Sequence, residues 1–261
     1  MGCREPCQTN CEGAGGPILC DSCRQAVADA LLRALADTKM DEFHKTSLAG
    51  TGAQPYIGVR QQLEAVMLRA PADWEVRASY FDLLQHISAG RTGLAWIILP
   101  ELRHPLFFRY GSTDIANMTA IFLQGRYDAK LRSVPRHILD LGAYAGYAAV
   151  YLAQRFPNAA VLCVEPMSAN FRILLLNTLP YRQITCRNVA VWGHATQLSQ
   201  HAILGGESGM QLADGVTEAG MSCHALTVAA VLQSAGWPQV DLVKCDINGG
   251  EASVFADPTA A

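Results

Sequence analysis

The chain has 261 residues, of which 50% are hydrophobic and 16% are charged, and its net charge is near −3. This balance excludes a broadly disordered chain. It also gives no electrostatic reason to expect nucleic acid as a partner, so nucleic acid is an unlikely one. No apolar run reaches the roughly 18 residues of a membrane span. The polar amino terminus lacks the apolar segment of a secretory signal. We therefore expect a cytoplasmic protein without a membrane partner.

Residues 1–23 differ in composition from the rest because they hold five of the nine cysteines. In a cytosolic chain, clustered cysteines favour a metal over disulfides, and four thiolates can hold Zn²⁺ tetrahedrally. We name Cys3, Cys7, Cys20 and Cys23 as candidate zinc ligands. Their spacing is not that of a zinc knuckle, and an iron–sulfur cluster fits equally loosely. The alternative is a flexible or partner-docking tail.

Residues 24–104 are expected to form a helical amino-terminal section. Apolar residues recur at helical spacing over residues 27–35, and two further helical patterns lie around residues 59–69 and 74–88. The apolar run over residues 94–99 fits either a short strand or a buried helix. The main domain is expected to begin at residue 105.

Over residues 105–261, apolar runs alternate with helical segments. Strands separated by helices imply an α/β fold, in which a parallel sheet carries helices on both faces and the crossovers are right-handed. The expected strands are residues 137–141, 160–164, 184–191 and 240–246, and the expected helices are residues 114–124, 146–155, 167–178 and 227–235.

The strongest binding signal starts at the first of these strands. An apolar run holds Asp140 near its end, a turn with Gly142 and Gly146 follows, and the next apolar run ends in Glu165. The order strand, turn, helix, strand and acid is that of a nucleotide-binding βαβ unit. Glycine has no Cβ, so the backbone can turn sharply and a ligand can lie against it. A carboxylate at the second strand tip can accept both hydroxyls of a ribose.

The spacing of the glycines in the turn limits which ligands can bind there. Gly-x-x-x-Gly is not the dinucleotide pattern Gly-x-Gly-x-x-Gly, and the turn lacks the Lys and Ser/Thr of a phosphate-binding P-loop. A ribose-bearing ligand without phosphates remains, and S-adenosyl-L-methionine is the obvious candidate cofactor. The alternative is an ordinary βα turn beside a solvated Glu165.

A later segment repeats the pattern and suggests a family. Residues 240–251 are an apolar run that ends in Asp246, followed by a Gly-Gly turn and Glu251. Together these segments resemble the FkbM-type family of S-adenosylmethionine-dependent methyltransferases. Residues 140–146 match its motif Asp-x-Gly-Ala-x-x-Gly, the Glu-Pro pair at 165–166 matches its second strand end, and residues 246–251 match its late motif. Asn248 stands where that family usually has Glu. The resemblance covers about residues 100–255.

The resemblance implies a class I Rossmann-like methyltransferase that methylates a hydroxyl of a sugar, glycan or secondary metabolite. Asp246 would be the catalytic base for that hydroxyl, or would steer the cationic cofactor. Asn188, in the third strand, borders the adenine or is a satisfied core amide. The expected cofactor-binding residues are Asp140, Gly142, Ala143, Gly146, Glu165 and Asn188.

Two further expectations concern completeness. A full class I sheet has seven strands and only four main ones are expected here, so the carboxyl-terminal strands are expected to be missing. A bare sheet edge is an association site, which favours a homodimer. Together with Asn248, this motivates an alternative function, a non-catalytic methyltransferase-like binding or assembly module. A dehydrogenase is a distant third because the dinucleotide glycine pattern is absent.

Overall fold

The computed structural model describes residues 93–99, 101–201, 211–214 and 222–256, and one antiparallel pair of two-residue strands, Glu12–Gly13 with Gly16–Pro17. The four candidate zinc ligands and the helices expected before residue 90 lie outside the described residues. The strands are β1 (Gly93–Ile97), β2 (Leu106–Tyr110), β3 (His137–Leu141), β4 (Ala160–Val164), β5 (Ile184–Arg187), β6 (Ala190–Val191), β7 (Thr196–His201), β8 (Gln211–Asp214), β9 (Ser222–Leu226) and β10 (Leu242–Cys245). The helices are α1 (Asp114–Phe122), α2 (Tyr147–Arg155), α3 (Ser168–Thr178), α4 (Val228–Ser234) and α5 (Glu251–Val254).

The central sheet has four parallel strands in the order β10-β3-β4-β5. The chain builds from β3 through β4 to β5 in one direction and then returns to the other side of β3 for β10. The order therefore reverses between β3 and β10, and such a switch point is where open α/β sheets bind ligands. This is a Rossmann-like α/β fold, as predicted, and β3 and β4 have the predicted bounds.

Both faces of the sheet are covered, which explains why its central strands are continuous apolar runs. Side chains alternate between the faces because successive strand residues point to opposite sides. Ile138 and Val161 pack into a core with α1, α2 and α3. Leu139 and Leu162 pack into a second core with α4 and α5. The predicted helices on both faces are confirmed.

The prediction of one strand over residues 184–191 is wrong, because the chain leaves the central sheet at Asn188. The Nδ2 atom of Asn188 donates to the carbonyls of Glu165 (2.8 Å) and Pro166 (3.1 Å). After this break, β6 joins a second sheet in the order β8-β7-β9-β6, where it runs parallel to β9. Strands β7 and β9 were not predicted from the sequence.

An antiparallel hairpin of β1 and β2 packs against the first core. The apolar run over residues 94–99 is therefore largely strand, and its pairing crosses the boundary expected at residue 104. Asn177 of α3 ties this hairpin to the domain. Its Oδ1 accepts from Phe107 N at 2.7 Å, and its Nδ2 donates to the carbonyls of Phe107 and Ala145. Among the described helices, none has the length and apolar character needed to cross a bilayer.

Two cysteines face each other inside the central sheet. Cys163 of β4 and Cys186 of β5 are directly opposite in the parallel register. Both thiols are free, and Cys163 is fully buried. Burial raises the pKa of Cys163 well above its usual value. Cys163 therefore packs as a small hydrophobic residue of the core.

Candidate functional site

An open cleft of about 960 Å³, part of it open to solvent, lies where β3, β4 and β10 end. The loops after these three strands form one side, and α1 with its following turn contributes to the opposite wall. The cleft therefore lies at the switch point of the sheet, and its size is that of a small-molecule site.

The turn after β3 requires glycine at residue 142. Gly142 has a φ of 72°, and a Cβ there would lie 2.0 Å from the carbonyl oxygen of Asp246. The two loops that flank the switch point thus touch backbone to backbone. The amides of Gly142 and Ala143 donate to Val164 O at 3.0 Å, which joins this turn to the end of β4. Both residues line the cleft, and their contact with a cofactor stays a prediction.

Gly146 lies outside the cleft lining. It has a φ of 85°, and a Cβ there would approach Leu174 Cδ1 of α3 to 2.8 Å. Its amide donates to Ala143 O at 2.8 Å. The close packing of α2 on α3 therefore requires glycine at residue 146, and a contact of Gly146 with a cofactor stays a prediction.

Glu165 follows β4 and lines the cleft while only 4% exposed. Its Oε2 accepts from Tyr144 N at 2.9 Å, and its Oε1 accepts from Met167 N at 3.0 Å and Asn170 Nδ2 at 3.4 Å. Burial raises the pKa of this carboxyl above its usual value, and these donors oppose the rise only in part. A carboxylate has about four acceptor positions, so capacity remains for a ligand hydroxyl.

Lys244 of β10 was not predicted as a site residue. Its Nζ lies 3.0 Å from Asp140 Oδ1 and donates to Gly142 O at 2.6 Å. Burial lowers the pKa of this lysine, but the Asp140 charge outweighs it and the pKa is raised. Lys244 therefore stays an ammonium that holds the glycine turn. A lysine inside an apolar strand run was the available signal.

Asp140 is fully buried and lies outside the cleft lining. The sequence predicted that Asp140 would be a cofactor-binding residue, and nothing in the structure tests a contact with a ligand. The structure places its carboxylate beside the ammonium of Lys244, which itself binds Gly142 O. Asp140 thus acts on the glycine turn from beneath, through Lys244.

Asp246 is exposed and lines the cleft at the end of β10. The loop behind it is shaped by Glu251, whose carboxylate accepts from Ile247 N at 2.9 Å and Gly249 N at 2.7 Å. Burial pushes the pKa of Glu251 up, but these amide donors outweigh it and the pKa is lowered. Asn248 in this loop has a φ of 55°, a left-handed conformation that asparagine tolerates well.

Asn188, expected as a cofactor-binding residue, lies away from the cleft lining, as do His194 and His224. Asn188 is exposed and holds the carbonyls described above. His194 and His224 are also exposed, and His224 contacts the amide of Gln197. Among the described residues, no group of three or more His, Cys, Asp or Glu side chains could hold a metal.

The remaining walls of the cleft were not predicted. Asn117, Arg126 and Tyr127 line the side formed by α1 and the turn after it. Met167 and Trp192 line the side next to Glu165, toward β6. One side of the cleft is therefore partly cationic and hydrogen-bonding, while the end beyond Glu165 is largely apolar.

A buried polar cluster supports the cleft from below. Arg109 binds Asp114 through two contacts, Nε to Oδ2 at 2.8 Å and a terminal nitrogen to Oδ1 at 2.7 Å. The Arg109 backbone amide donates to the same carboxylate at 2.8 Å. Its other terminal nitrogen donates to Asn170 Oδ1 at 3.0 Å, and Asn170 donates in turn to Glu165. This chain links the β1–β2 hairpin to the acid of the cleft.

No family model matches this chain, and no curated protein does. It is similar to the methyltransferase FkbM from Methylobacillus flagellatus KT, at 13% identity and a TM-score of 0.35, over 77% of this chain and 44% of that one. It is also similar to a coclaurine N-methyltransferase bound to N-methylheliamine and SAH, at 16% identity and a TM-score of 0.24, over 62% of this chain and 49% of that one.

The chain spans less than half the length of either methyltransferase. Similarity at these TM-scores does not define a function. The sheet order alone defines the class of fold.

Proposed function

We propose that this protein is an S-adenosylmethionine-dependent methyltransferase that binds its cofactor in the cleft and methylates a hydroxyl of a small acceptor such as a sugar, glycan or secondary metabolite. The observation that carries the proposal is the buried carboxylate of Glu165 at the end of β4, beside the Gly142 turn and across the switch point from Asp246. Phosphate-free nucleosides need an acceptor for the ribose hydroxyls, and Glu165 supplies it.

The residues fit this cofactor in their donor and acceptor chemistry. Glu165 would accept a ribose hydroxyl, because its three donors leave about one of its roughly four acceptor positions open and do not offset its burial. Met167 and Trp192 offer apolar surface for an adenine on the same side. The turn at Gly142 and Ala143 would lie along the middle of the ligand.

When bound, the cofactor supplies an electrophilic methyl group on a sulfonium. The protein then has to hold the acceptor oxygen near the methyl carbon and take the hydroxyl proton. Asp246 is the candidate base, because its exposed carboxylate lines the cleft at the end of β10. Its negative charge would also attract the sulfonium, so the same side chain can position and accept a proton.

Titration calorimetry with S-adenosylhomocysteine tests cofactor binding directly. Glu165→Ala should weaken binding by about 1–3 kcal/mol, because charge-assisted hydrogen bonds to the ribose are lost. The matched control is Glu101→Gln, since Glu101 is exposed and outside the cleft lining. If the wild type gives no heat at about 50 µM protein, the proposal fails. If Glu165→Ala binds as well as the wild type, Glu165 is not in the site.

Turnover distinguishes the enzyme from the non-catalytic module. Asp246→Asn should abolish the transfer of a labelled methyl group to hydroxylated acceptors. Its affinity for S-adenosylhomocysteine should stay within about threefold of the wild-type affinity. Transfer to amines but not hydroxyls would contradict O-methylation. Cofactor binding without transfer to any acceptor would favour the module. Asn248 does not favour the module, because its φ of 55° is a left-handed conformation in which asparagine is well tolerated, and this accounts for the residue at that position.

A further inference from the structure

The charged side chains that line the cleft differ in whether they already form an ion pair. Four charged side chains of the described residues line it, and one of them, Lys244, is already bound to Asp140 and to the Gly142 carbonyl. Glu165 and Asp246 are acids. Arg126 is exposed and makes no ion pair with any residue in the described part of the chain. The cleft therefore offers one guanidinium to an anionic group of a ligand.

The backbone around Arg126 is fixed, so the side chain starts from a defined place. The preceding Gly125 has a φ of 66°, and the amide of Arg126 donates to Ala120 O at 3.0 Å. On the other side, Arg155 of α2 donates to the carbonyls of Tyr127 at 2.7 Å and Ala129 at 2.6 Å. Both contacts hold this turn against the domain, so its side chains form a wall of the cleft.

Arg126 and Tyr127 line the wall of the cleft that α1 and its following turn form, and Asp246 lines the cleft at the end of β10. Burial raises the pKa of Tyr127, and the charges of Lys244, Asp140, Arg126 and Asp246 act on its hydroxyl, which agrees with a position of this wall beside the ends of β3 and β10. Glu165 follows β4, which is two strand spacings, or roughly 9–10 Å, from β10. A ligand with its ribose at Glu165 would point its other end toward Arg126.

We propose that Arg126 forms a carboxylate-binding subsite for the methionyl end of the cofactor, an inference that rests on the proposed function. The cofactor carries one carboxylate, one ammonium and one sulfonium. The cleft offers one uncommitted guanidinium and the acid Asp246 at the same end. Guanidinium binds carboxylate through two parallel hydrogen bonds, which fixes orientation as well as charge. Arg126 would thereby hold the methionyl chain in one direction along the cleft.

The test uses two ligands that differ only in that carboxylate. S-adenosylhomocysteine is compared with its decarboxylated analogue, which keeps the adenosine, the thioether and the ammonium. Arg126→Gln should weaken S-adenosylhomocysteine at least about tenfold, as for loss of a charge-assisted hydrogen bond, and should change the decarboxylated analogue by less than about twofold. Arg126→Lys keeps the charge without the planar fork, so it should recover part of the loss.

Arg172→Gln is the matched control, because Arg172 is an exposed arginine of α3 outside the cleft lining. It should bind both ligands as the wild type does. The proposal is overturned if Arg126→Gln weakens both ligands equally, which indicates a structural role. It is also overturned if Arg126→Gln leaves the affinities for both ligands unchanged. The guanidinium would then be open to bind the methyl acceptor instead. If the wild-type protein binds neither ligand, the proposed function itself has failed.

Discussion

The domain contains two buried ion pairs that are built differently. Arg109 and Asp114 meet through two directed hydrogen bonds, and both carboxylate oxygens have donors. Lys244 and Asp140 meet through one contact of 3.0 Å, and Asp140 Oδ2 has no donor among the described residues. The first pair lies beneath the hairpin, whereas the second joins two strands under the cleft. The pair with a complete set of hydrogen-bond partners thus stabilises the hairpin, while the pair with an incomplete set lies under the cleft.

The pairs also differ in how their charges affect stability with pH. Burial would raise the pKa of Asp114, but the Arg109 charge outweighs it and lowers the pKa. Its stabilisation is therefore present above its usual value of 3.8 and is lost as the pH falls through the lowered pKa. Lys244 has a raised pKa, so its stabilisation is present at neutral pH and is lost only as the pH rises through that pKa.

The largest expected effect comes from breaking the complete pair. Asp114→Asn should destabilise the protein by about 3–5 kcal/mol, because it leaves the Arg109 charge buried without its partner. Urea denaturation measures the change. Asp246→Asn is the contrast, with a change within about 0.5 kcal/mol, since Asp246 is exposed. If Asp114→Asn does not fold, an Arg109→Met/Asp114→Leu double variant should recover much of the stability. Equal stabilities of Asp114→Asn and the wild type would contradict the comparison.

Breaking the incomplete pair should act on both stability and binding. Lys244→Met should cost about 1–3 kcal/mol of stability, less than Asp114→Asn, because Lys244 and Asp140 share a single contact whereas Arg109 and Asp114 share two directed hydrogen bonds. It should also weaken S-adenosylhomocysteine several-fold, since the Gly142 carbonyl loses its donor. Folded Asp114→Asn protein should bind that ligand within about twofold of the wild type. Calorimetry beside urea denaturation separates the two effects, and a Lys244→Met variant with normal affinity would remove Lys244 from the site.

The ligand affinity should depend on pH through Glu165. Its pKa is raised above the usual 4.5 in the free protein, and hydroxyl donors of a bound ribose would lower it. Binding then releases a proton, so affinity rises with pH up to the free pKa and is level above it. Below that pKa, we expect the affinity to fall about tenfold for each pH unit, because one proton is released for each ligand bound. Glu165→Gln should abolish the slope, and a slope that persists in this variant would assign it to another group.

The smallest effect concerns the link between cleft and hairpin. The hydroxyl of Tyr144 contacts Thr113 Oγ1 at 3.0 Å, and its ring lies 5.3 Å from the guanidinium carbon of Arg109. Tyr144→Phe keeps the ring and removes the hydrogen bond, so it should cost about 1 kcal/mol. Thermal unfolding is sensitive enough to detect this. A variant as stable as the wild type would show that the hydroxyl contact adds nothing to the link.

Local patterns in the sequence were enough to predict the sheet. The runs 137–141 and 160–164 are apolar because both of their faces are buried, so their period and bounds are visible in the chain. The break at Asn188 was not visible, since it depends on hydrogen bonds to carbonyls more than twenty residues earlier. Strands β7 and β9 were missed because they pair with each other across more than twenty residues of sequence, in a second sheet that no local pattern indicates.

The candidate site was predicted only where one residue type implies one chemistry. Gly142, Ala143, Glu165 and Asp246 line the cleft because strand ends of a parallel sheet meet at one edge. Arg126 was missed because its role depends on which wall α1 packs against, and a sequence of scattered arginines does not contain that information. The Arg109–Asp114 pair lies five residues apart, but its burial comes from α3 and the hairpin.

The thiol of Cys163 can be used as a probe of local opening in this core. Alkylating reagents attack only an accessible thiolate, and Cys163 is fully buried with a raised pKa. Its labelling rate, followed by mass spectrometry of its peptide, therefore reports how often β4 separates from its neighbours. A ligand that binds only the closed sheet would slow this labelling by mass action. Occupancy of the cleft could then be followed from inside the domain without any acceptor.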